Sequence, residues 1–192
     1  LFEHHTTSLV FNDPPLHSRV RKIMTGAMNP KAVALMEPGL EKLIDGLLNT
    51  LEDESNLIEE FAMKIPVEVI GNLFNIPHSQ RGPLRDWSLA ILGALEPSPT
   101  NIQLSKGNTA VLEFKDFLKD ITDERRINPG NPDTDVLTRM LEAEESNLSE
   151  TELLQNCIFI LNAGHETTTN LIGNSLWALS HYPAAKEMLI NT

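Results

Sequence analysis

The chain has 192 residues, of which 41% are hydrophobic and 22% are charged, a composition typical of a folded globular protein with its own core. Fifteen Lys and Arg residues against 27 Asp and Glu give a formal net charge of -12, which argues against nucleic-acid binding and against adhesion to anionic membranes. No apolar run approaches the roughly 18–20 residues that span a bilayer. The single cysteine, Cys157, excludes an internal disulfide and multi-cysteine metal sites, so a soluble cytoplasmic protein is expected.

Helical signals run along the whole chain. Alternating β-branched runs are scarce, so the sequence predicts an all-α fold. The first predicted helix begins at Asp13 as N-cap with Pro14 in its first turn, and it extends to about Thr25. The next helix should bury one face made of leucines and one isoleucine at helical spacing, with Pro38 marking a kink or its start. These residues are Leu40, Leu43, Ile44, Leu47, Leu48 and Leu51.

The stretch that follows is apolar almost all round and predicts a central helix that contains Pro66 and ends at Pro77. Two further helices are predicted, one before the breaker sequence EPSPT and one from about Ile102 to Ile127. TDVLTRMLEAEE then predicts a short surface helix. Ser149 with Glu152 forms a capping box, and no breaker follows until Pro183, which predicts a helix of roughly 33 residues.

The sequence AGHETTT, residues 163–169, lies in the middle of this long helix. Ala163 and Gly164 leave a nearly bare patch, and the threonines can bond back to the preceding turn and bend the helix. The carboxyl of Glu166 and the hydroxyl of Thr167 beside this patch are suited to relaying protons. A solvated face is the alternative for so short a motif. A zinc-protease motif is excluded, because Thr169 stands where the second histidine is needed.

A second motif, DPPLHSRVR, opens the first predicted helix. It places His17 and Arg21 at positions i and i+4 on one helix face, where two donors can hold a carboxylate. Taken alone, the pair is equally compatible with two surface residues of an amphipathic helix. Of the remaining residues, His4 and His5 are expected in a loop, Trp87 and Trp177 in the core, and Cys157 in the core.

Together, and in this order, the two motifs resemble those of the cytochrome P-450 family of haem-thiolate monooxygenases, of the soluble bacterial type. There the C helix opens with D-P-P-x-H-x-x-x-R, and the long I helix carries A-G-x-[DE]-T-[ST]. The resemblance implies that residues 1–192 are a single partial domain, from the loop before the C helix to the start of the J helix. The N-terminal strands, the K helix and the haem-cysteine loop of the family are expected to lie outside it.

The resemblance also implies roles for individual residues. His17 and Arg21 would bind a haem propionate, and Ala163 and Gly164 would form the groove over the distal face of haem b, with Thr168 among the haem-binding residues. Thr167 would steady the oxygen being activated together with a water molecule, and Glu166 would connect it to solvent protons. The proximal cysteine would lie outside this chain, because Cys157 falls in the distal helix.

The implied activity of the full-length protein is insertion of one oxygen atom from O2 into a small apolar organic substrate. Electrons would come from NAD(P)H through a redox partner, a ferredoxin or flavin reductase, separate or fused. Segment 6–10 would border the substrate. The chain alone is expected to be inactive. A haem-free helical binding or scaffold domain is the alternative function.

Overall fold

A computed structural model describes residues 1–28 and 30–191, and this part of the chain is helical with no strand, which confirms the all-α prediction. The side chains of residues 32 and 143–147 lie outside the description, and with them the end of the predicted surface helix. Ten α-helices follow one another: α1 Phe2–Thr7, α2 Leu16–Ala27, α3 Pro30–Ala34, α4 Glu37–Leu48, α5 Lys64–Leu73, α6 Leu84–Ala94, α7 Asn101–Ile127, α8 Val136–Asn147, α9 Glu150–His181 and α10 Pro183–Ile190. Short 3-10 turns occupy Leu9–Phe11 and His78–Gln80, and a π-helical turn spans Ile58–Ala62.

The 32-residue helix α9 is the axis of the fold. Its start is the predicted capping box: Ser149 Oγ accepts from the Glu152 amide, and the Glu152 carboxylate accepts from the Ser149 amide. From Leu153 to Asn162 nearly every side chain is buried, because α1, α5, α6, α7 and α8 pack around this half. The core therefore sits around the first half of α9, whereas the second half is largely open.

Helix α2 begins later than the sequence predicts, at Leu16 rather than Pro14, and no side chain caps it. The residue before a proline is disfavoured in the α conformation. Pro14 precedes Pro15, so the helix starts only after the second proline. It continues through Gly26 to Ala27, and its side chains Val20, Met24 and Ala27 are buried in the core.

The predicted buried face of α4 is only half-buried, and the side chain of Leu48 is exposed. Pro38 lies at the start of this helix, as one of the two predicted options. Helix α4 packs chiefly against α5 and the π-helical turn, so neighbours cover it from one side only.

Helix α5 is the predicted central helix, but it ends at Leu73 instead of at Pro77. Asn75 has a φ of 49°, in the left-handed region that stops a right-handed helix, so the chain turns before the proline is reached. Arg81 fixes this turn by donating from Nε and Nη2 to the carbonyl of Ile76, at 2.9 and 2.7 Å.

Helices α6 and α7 form a tight antiparallel pair, and α7 spans nearly the predicted range. Thr100 and Gln103 form a second capping box at its start. Gly107 brings the helices together: a Cβ there would lie 2.3 Å from the Cβ of Ala94 and 3.0 Å from the carbonyl oxygen of Ala90. Trp87 stacks on Phe114 with ring centroids 5.1 Å apart, which confirms its predicted place against the core.

Three predictions on local placement are wrong. Helix α8 is not a surface helix: Val136, Leu137 and Met140 are buried, because α2, α7 and α9 cover one of its faces. Trp177 is 61% exposed instead of buried, since it lies on the open half of α9, where it stacks on the ring of His181. His4 and His5 lie in the short helix α1 and not in a loop. Among the described helices, none is long and apolar enough to cross a membrane.

Candidate functional site

The open face of α9 begins at Ala163, where the burial of the helix changes. Ala163, Glu166 and Thr167 are exposed, and Asn170 and Leu171 continue the same line at the i, i+3, i+4 spacing of one helix face. On the opposite side Leu161, His165 and Thr169 are buried. Of the predicted bare patch, Ala163 thus lies on a side of α9 that no described element covers.

The hydroxyl of Thr167 is held by the helix itself. Its Oγ1 donates to the carbonyl oxygen of Ala163 at 2.6 Å, and on the buried side Thr169 Oγ1 donates to the carbonyl of His165 at 2.9 Å. This is the predicted bonding to the preceding turn. It does not open the helix, which continues unbroken through these residues. The donated proton leaves the lone pairs of Thr167 Oγ1 free to accept a hydrogen bond from the open face.

Gly164 and Thr168 lie beside this face, toward α5. Both are half-buried, and a Cβ on Gly164 would lie 3.1 Å from Cδ1 of Ile70. The missing side chain of Gly164 therefore lets α5 approach α9 closely, while Ala163 supplies the small side chain on the open face.

His17 and Arg21 lie on α2, and both have donors without an acceptor. His17 Nε2 is buried and has no hydrogen-bond partner within the described chain. Arg21 is exposed, and no described residue forms an ion pair with its guanidinium. Leaving a buried polar atom unpaired costs about 1–3 kcal/mol, so His17 Nε2 marks a place where an acceptor from outside these helices fits. A carboxylate held jointly by an imidazole and a guanidinium suits this pair.

The structure does not join the two predicted groups by a direct contact. No hydrogen bond or ion pair of the described residues connects His17 or Arg21 to Glu166 or Thr167. The helices that carry them are tied instead by Arg19, whose Nη1 and Nη2 donate to the two carboxylate oxygens of Glu152 at 3.1 and 2.5 Å. This pair holds the pKa of Glu152 at about 2, since the Arg19 hydrogen bonds are the largest cause of the shift.

Sequence reasoning missed a group of buried polar side chains on the closed side of α9. The side-chain amide of Asn162 and both ring nitrogens of His165 are buried without a partner, and Ser88 Oγ and Arg85 Nε on α6 are in the same state. Burial, and secondarily the charge of Arg85, lowers the pKa of His165, so the imidazole is neutral at pH 7. Spacing gave no signal for this group, because Asn162 and His165 are related by i, i+3 just as Ala163 and Glu166 are, and only the neighbouring helices show which pair is buried.

Segment 6–10, predicted to border the substrate, is fixed to α9 through amide side chains. Asn156 Oδ1 accepts from the amide of Leu9 at 2.9 Å, and Asn156 Nδ2 donates to the carbonyl of Thr7 at 3.1 Å. Just before this segment, His4 Nδ1 lies 2.8 Å from Gln155 Oε1. Since Gln155 Nε2 donates to Glu3, its Oε1 faces His4 and accepts the proton on Nδ1.

Cys157 is completely buried in the core, as predicted, and burial raises the pKa of its thiol to about 12. A thiol in this state is protonated at every physiological pH, and its place among core side chains leaves no approach for a metal. Cys157 is therefore a packing residue.

Comparisons with known proteins identify the class of protein that this fold and site define. The family model for cytochrome P450 matches residues 90–191, more than half of the chain. Cytochrome P450 107B1 of Saccharopolyspora erythraea is 35% identical over 93% of this chain and 43% of its own length. Cytochrome P450 monooxygenase PikC of Streptomyces venezuelae is 30% identical over 92% of this chain and 42% of its own. The crystal structure of CalO2 superposes with a TM-score of 0.90 at 25% identity, covering 97% of this chain and 47% of that one.

The chain belongs to the cytochrome P450 family, a family of haem proteins. It spans about 43% of the length of the curated relatives it matches. The helices described above form one part of the family fold.

Proposed function

We propose that the full-length protein is a haem-dependent monooxygenase, which inserts one oxygen atom from O2 into a small apolar organic substrate. One observation carries this proposal: the exposed line of Ala163, Glu166 and Thr167 in the middle of α9, directly after the buried first half of the helix. A helix that is buried on all sides for its first half and then presents a carboxyl and a hydroxyl beside a small residue is shaped for a ligand. The family relation to proteins named monooxygenases supports the same activity.

The residues present fit haem b as the cofactor. His17 and Arg21 would hold a propionate, because the buried Nε2 of His17 lacks a partner and the exposed guanidinium of Arg21, one turn away, is free to bind a carboxylate. Ala163, Gly164 and Thr168 would border its distal face. When bound, haem supplies the binding and reductive activation of O2. The thiolate ligand would come from outside these 192 residues, since Cys157 is a core residue.

The role of this chain would be to control protons at that face. Thr167 Oγ1 donates its proton to the Ala163 carbonyl, so its oxygen accepts from a water molecule and fixes that water in place. Glu166, one position before it and exposed, exchanges protons with solvent and can pass them toward this water. A controlled supply of protons favours oxidation of the substrate over release of hydrogen peroxide.

The proposal extends to partners and location. Two electrons per turnover would come from NAD(P)H through a ferredoxin or flavin reductase, separate or fused, and the protein would work in the cytoplasm. Segment 6–10, held on α9 by Asn156, would border the substrate.

The test is the spectrum of the full-length protein, reduced under carbon monoxide. A Soret band at the thiolate-haem position is the expected result, and Cys157→Ala should leave it unchanged. Absence of bound haem in the full-length protein would favour the haem-free binding or scaffold domain instead.

A further inference from the structure

A cavity lies between α4, α5 and the start of α6, away from the open face of α9. We call it the α4–α5 cleft, and its volume is about 810 Å³. Its apolar wall consists of Leu43, Leu47, Met63 and Val67. No described residue of α9 lines this cleft. The cleft therefore does not include the open face that carries Thr167, and its volume is in the range of small-molecule sites.

Arg85 lies at this cleft with donors that lack acceptors. Its Nε is buried and has no hydrogen-bond partner in the described part of the chain. Nη2 lies 3.5 Å from the sulfur of Met63, a weak acceptor, and Nη1 is 3.8 Å from an oxygen of the exposed Asp86. The side chain of Arg85 is 42% exposed at the cleft, so its guanidinium can be reached by an anion while Nε still lacks a partner.

The other charges of the cleft do not satisfy Arg85. Glu68 is already bound by Arg81, with Nη1 2.5 Å from Oε2, and by His78 at 3.2 Å. Lys64 is exposed, and no described residue forms an ion pair with it. Glu59 lines the mouth, exposed, and makes no ion pair with either cation. Arg85 and Lys64 are thus the two cations of the cleft that no described carboxylate holds within hydrogen-bond distance, in a chain whose net charge is -12.

We propose that the α4–α5 cleft binds a monocarboxylate with an aliphatic body. The carboxylate would lie on Arg85 and Lys64, and the hydrocarbon part would lie along Leu43, Leu47, Met63 and Val67. A carboxylate matches the two cations that lack a hydrogen-bonded acid, and an aliphatic body matches the apolar wall. This site is distinct from the substrate pocket proposed on the open side of α9.

The experiment is calorimetric titration of the full-length haem protein with decanoate, with the haem iron blocked by an azole so that the substrate pocket is closed. One decanoate should bind. Arg85→Met should weaken binding about tenfold and Lys64→Met about threefold, because a hydrogen bond to a charged group contributes more where it is sheltered, as at Arg85 Nε, than where it is exposed, as at Lys64. Lys186→Met, which removes an exposed cation of α10, should leave the Kd unchanged.

Two further measurements make the result specific. The neutral analogue decanamide should bind at least about tenfold more weakly and should not distinguish the parent protein from Arg85→Met. Leu47→Glu, which places a carboxylate on the apolar wall, should abolish binding while Arg85 is intact. An unchanged Kd in Arg85→Met, equal binding of decanamide and decanoate, or complete loss of decanoate binding when the azole is present would overturn the proposal.

Discussion

At the scale of single residues, the proposed chemistry depends on which side of α9 a threonine faces. Thr167 and Thr169 both donate to the carbonyl four residues earlier, but only Thr167 lies on the open face. The buried Thr169 is therefore a control with the same hydroxyl, the same kind of hydrogen bond and a different environment.

Thr167→Ala and Glu166→Gln should each lower the product formed per NAD(P)H and raise the hydrogen peroxide released. The reason is that a fixed water and an exchangeable proton are lost from the open face; such groups contribute roughly 10²-fold or more to rate. Thr169→Ala should keep the coupling of the parent protein. Product, consumed NAD(P)H and released peroxide should be measured in one assay. Unchanged coupling in both open-face variants, Thr167→Ala and Glu166→Gln, would exclude the proton-relay role.

A second residue-scale prediction concerns Arg19 and Glu152. The pKa of Glu152, about 2 in the folded protein, is below its ordinary value of 4.5, so the ionised carboxylate stabilises the fold. This contribution is complete above pH 4.5 and is lost as the pH falls toward 2. Arg19→Met should therefore destabilise the protein by about 1–2 kcal/mol at pH 7, a value reduced for the partly exposed Arg19 side chain.

The measurement is denaturant unfolding of the parent protein and Arg19→Met between pH 7 and pH 3. The difference between the two free energies of unfolding should stay constant from pH 7 to about pH 4.5 and shrink below that. Lys22→Met, which removes an exposed charge from the same helix, supplies the control for net charge. A difference that stays constant with pH would show that Arg19 stabilises through packing alone.

At the scale of helices, α2 presents His17 and Arg21 together because they are one turn apart. His17→Ala and Arg21→Ala should each speed the loss of haem from the full-length protein, roughly tenfold, because each removes a donor to a charged acceptor. Lys22→Ala should not. Transfer of haem to apomyoglobin measures the rates, and haem loss as slow as in the parent protein would exclude the propionate role.

The close contact between α6 and α7 at Gly107 leads to a prediction about the free energy of unfolding. Gly107→Ala should destabilise by about 1–3 kcal/mol, because the added Cβ meets the rigid Cβ of Ala94 and a backbone carbonyl, although alanine favours the helix by about 1 kcal/mol. Combining it with Ala94→Gly should recover part of the loss. Gly46→Ala, whose Cβ meets nothing within 4 Å, should leave the thermal midpoint unchanged or slightly raised. Equal midpoints for Gly107→Ala and Gly46→Ala would contradict close packing.

At the scale of the whole molecule, the first 12 residues are tied to distant helices by polar contacts. Glu3 accepts from Lys115 of α7 at 2.8 Å and from Gln155 of α9 at 2.9 Å, and Gln155 accepts from His4. Burial lowers the pKa of His4 to about 4, so the imidazole is neutral in the folded protein at pH 7. Its Nδ1 depends on Gln155 for a hydrogen bond.

Gln155→Leu should release this segment while the core stays folded, because it leaves the buried Nδ1 of His4 without an acceptor at a cost of about 1–3 kcal/mol. Limited proteolysis followed by mass spectrometry should then show cleavage within residues 1–12 at protease levels that leave the parent protein intact. Gln103→Leu, at the exposed capping box of α7, is the control. Identical cleavage patterns would mean that the segment is held by its apolar contacts.

Much of the fold was predictable from the sequence because the relevant signals are local. Ser149 and Glu152 begin α9, the breakers after Leu95 and Ile127 end helices, and apolar spacing identified α7 within a residue. The candidate site residues, His17 with Arg21 and Ala163 to Thr168, stay predictions that come from two local motifs and from the resemblance of those motifs to the cytochrome P450 family.

The errors fall where a neighbour decides the outcome. Helix α8 is buried because three helices cover one side of it, whereas α4 and Trp177 are more exposed than their apolar side chains predict, because few described elements lie beside them. The role of Gly164 also depends on a neighbour. The sequence shows that Gly164 has no side chain, but only the position of Ile70 shows that this lets α5 approach α9.

The sequence by itself determined an all-α fold and the long helix, because helix period and caps are properties of neighbouring residues. Its motifs also supplied the predicted residues for holding a propionate and moving protons. Only the tertiary structure decided which side of α9 is open, which polar groups are left without partners, and that Arg85 faces the α4–α5 cleft. Burial depends on residues far apart in the chain, and no local pattern specifies which of them meet.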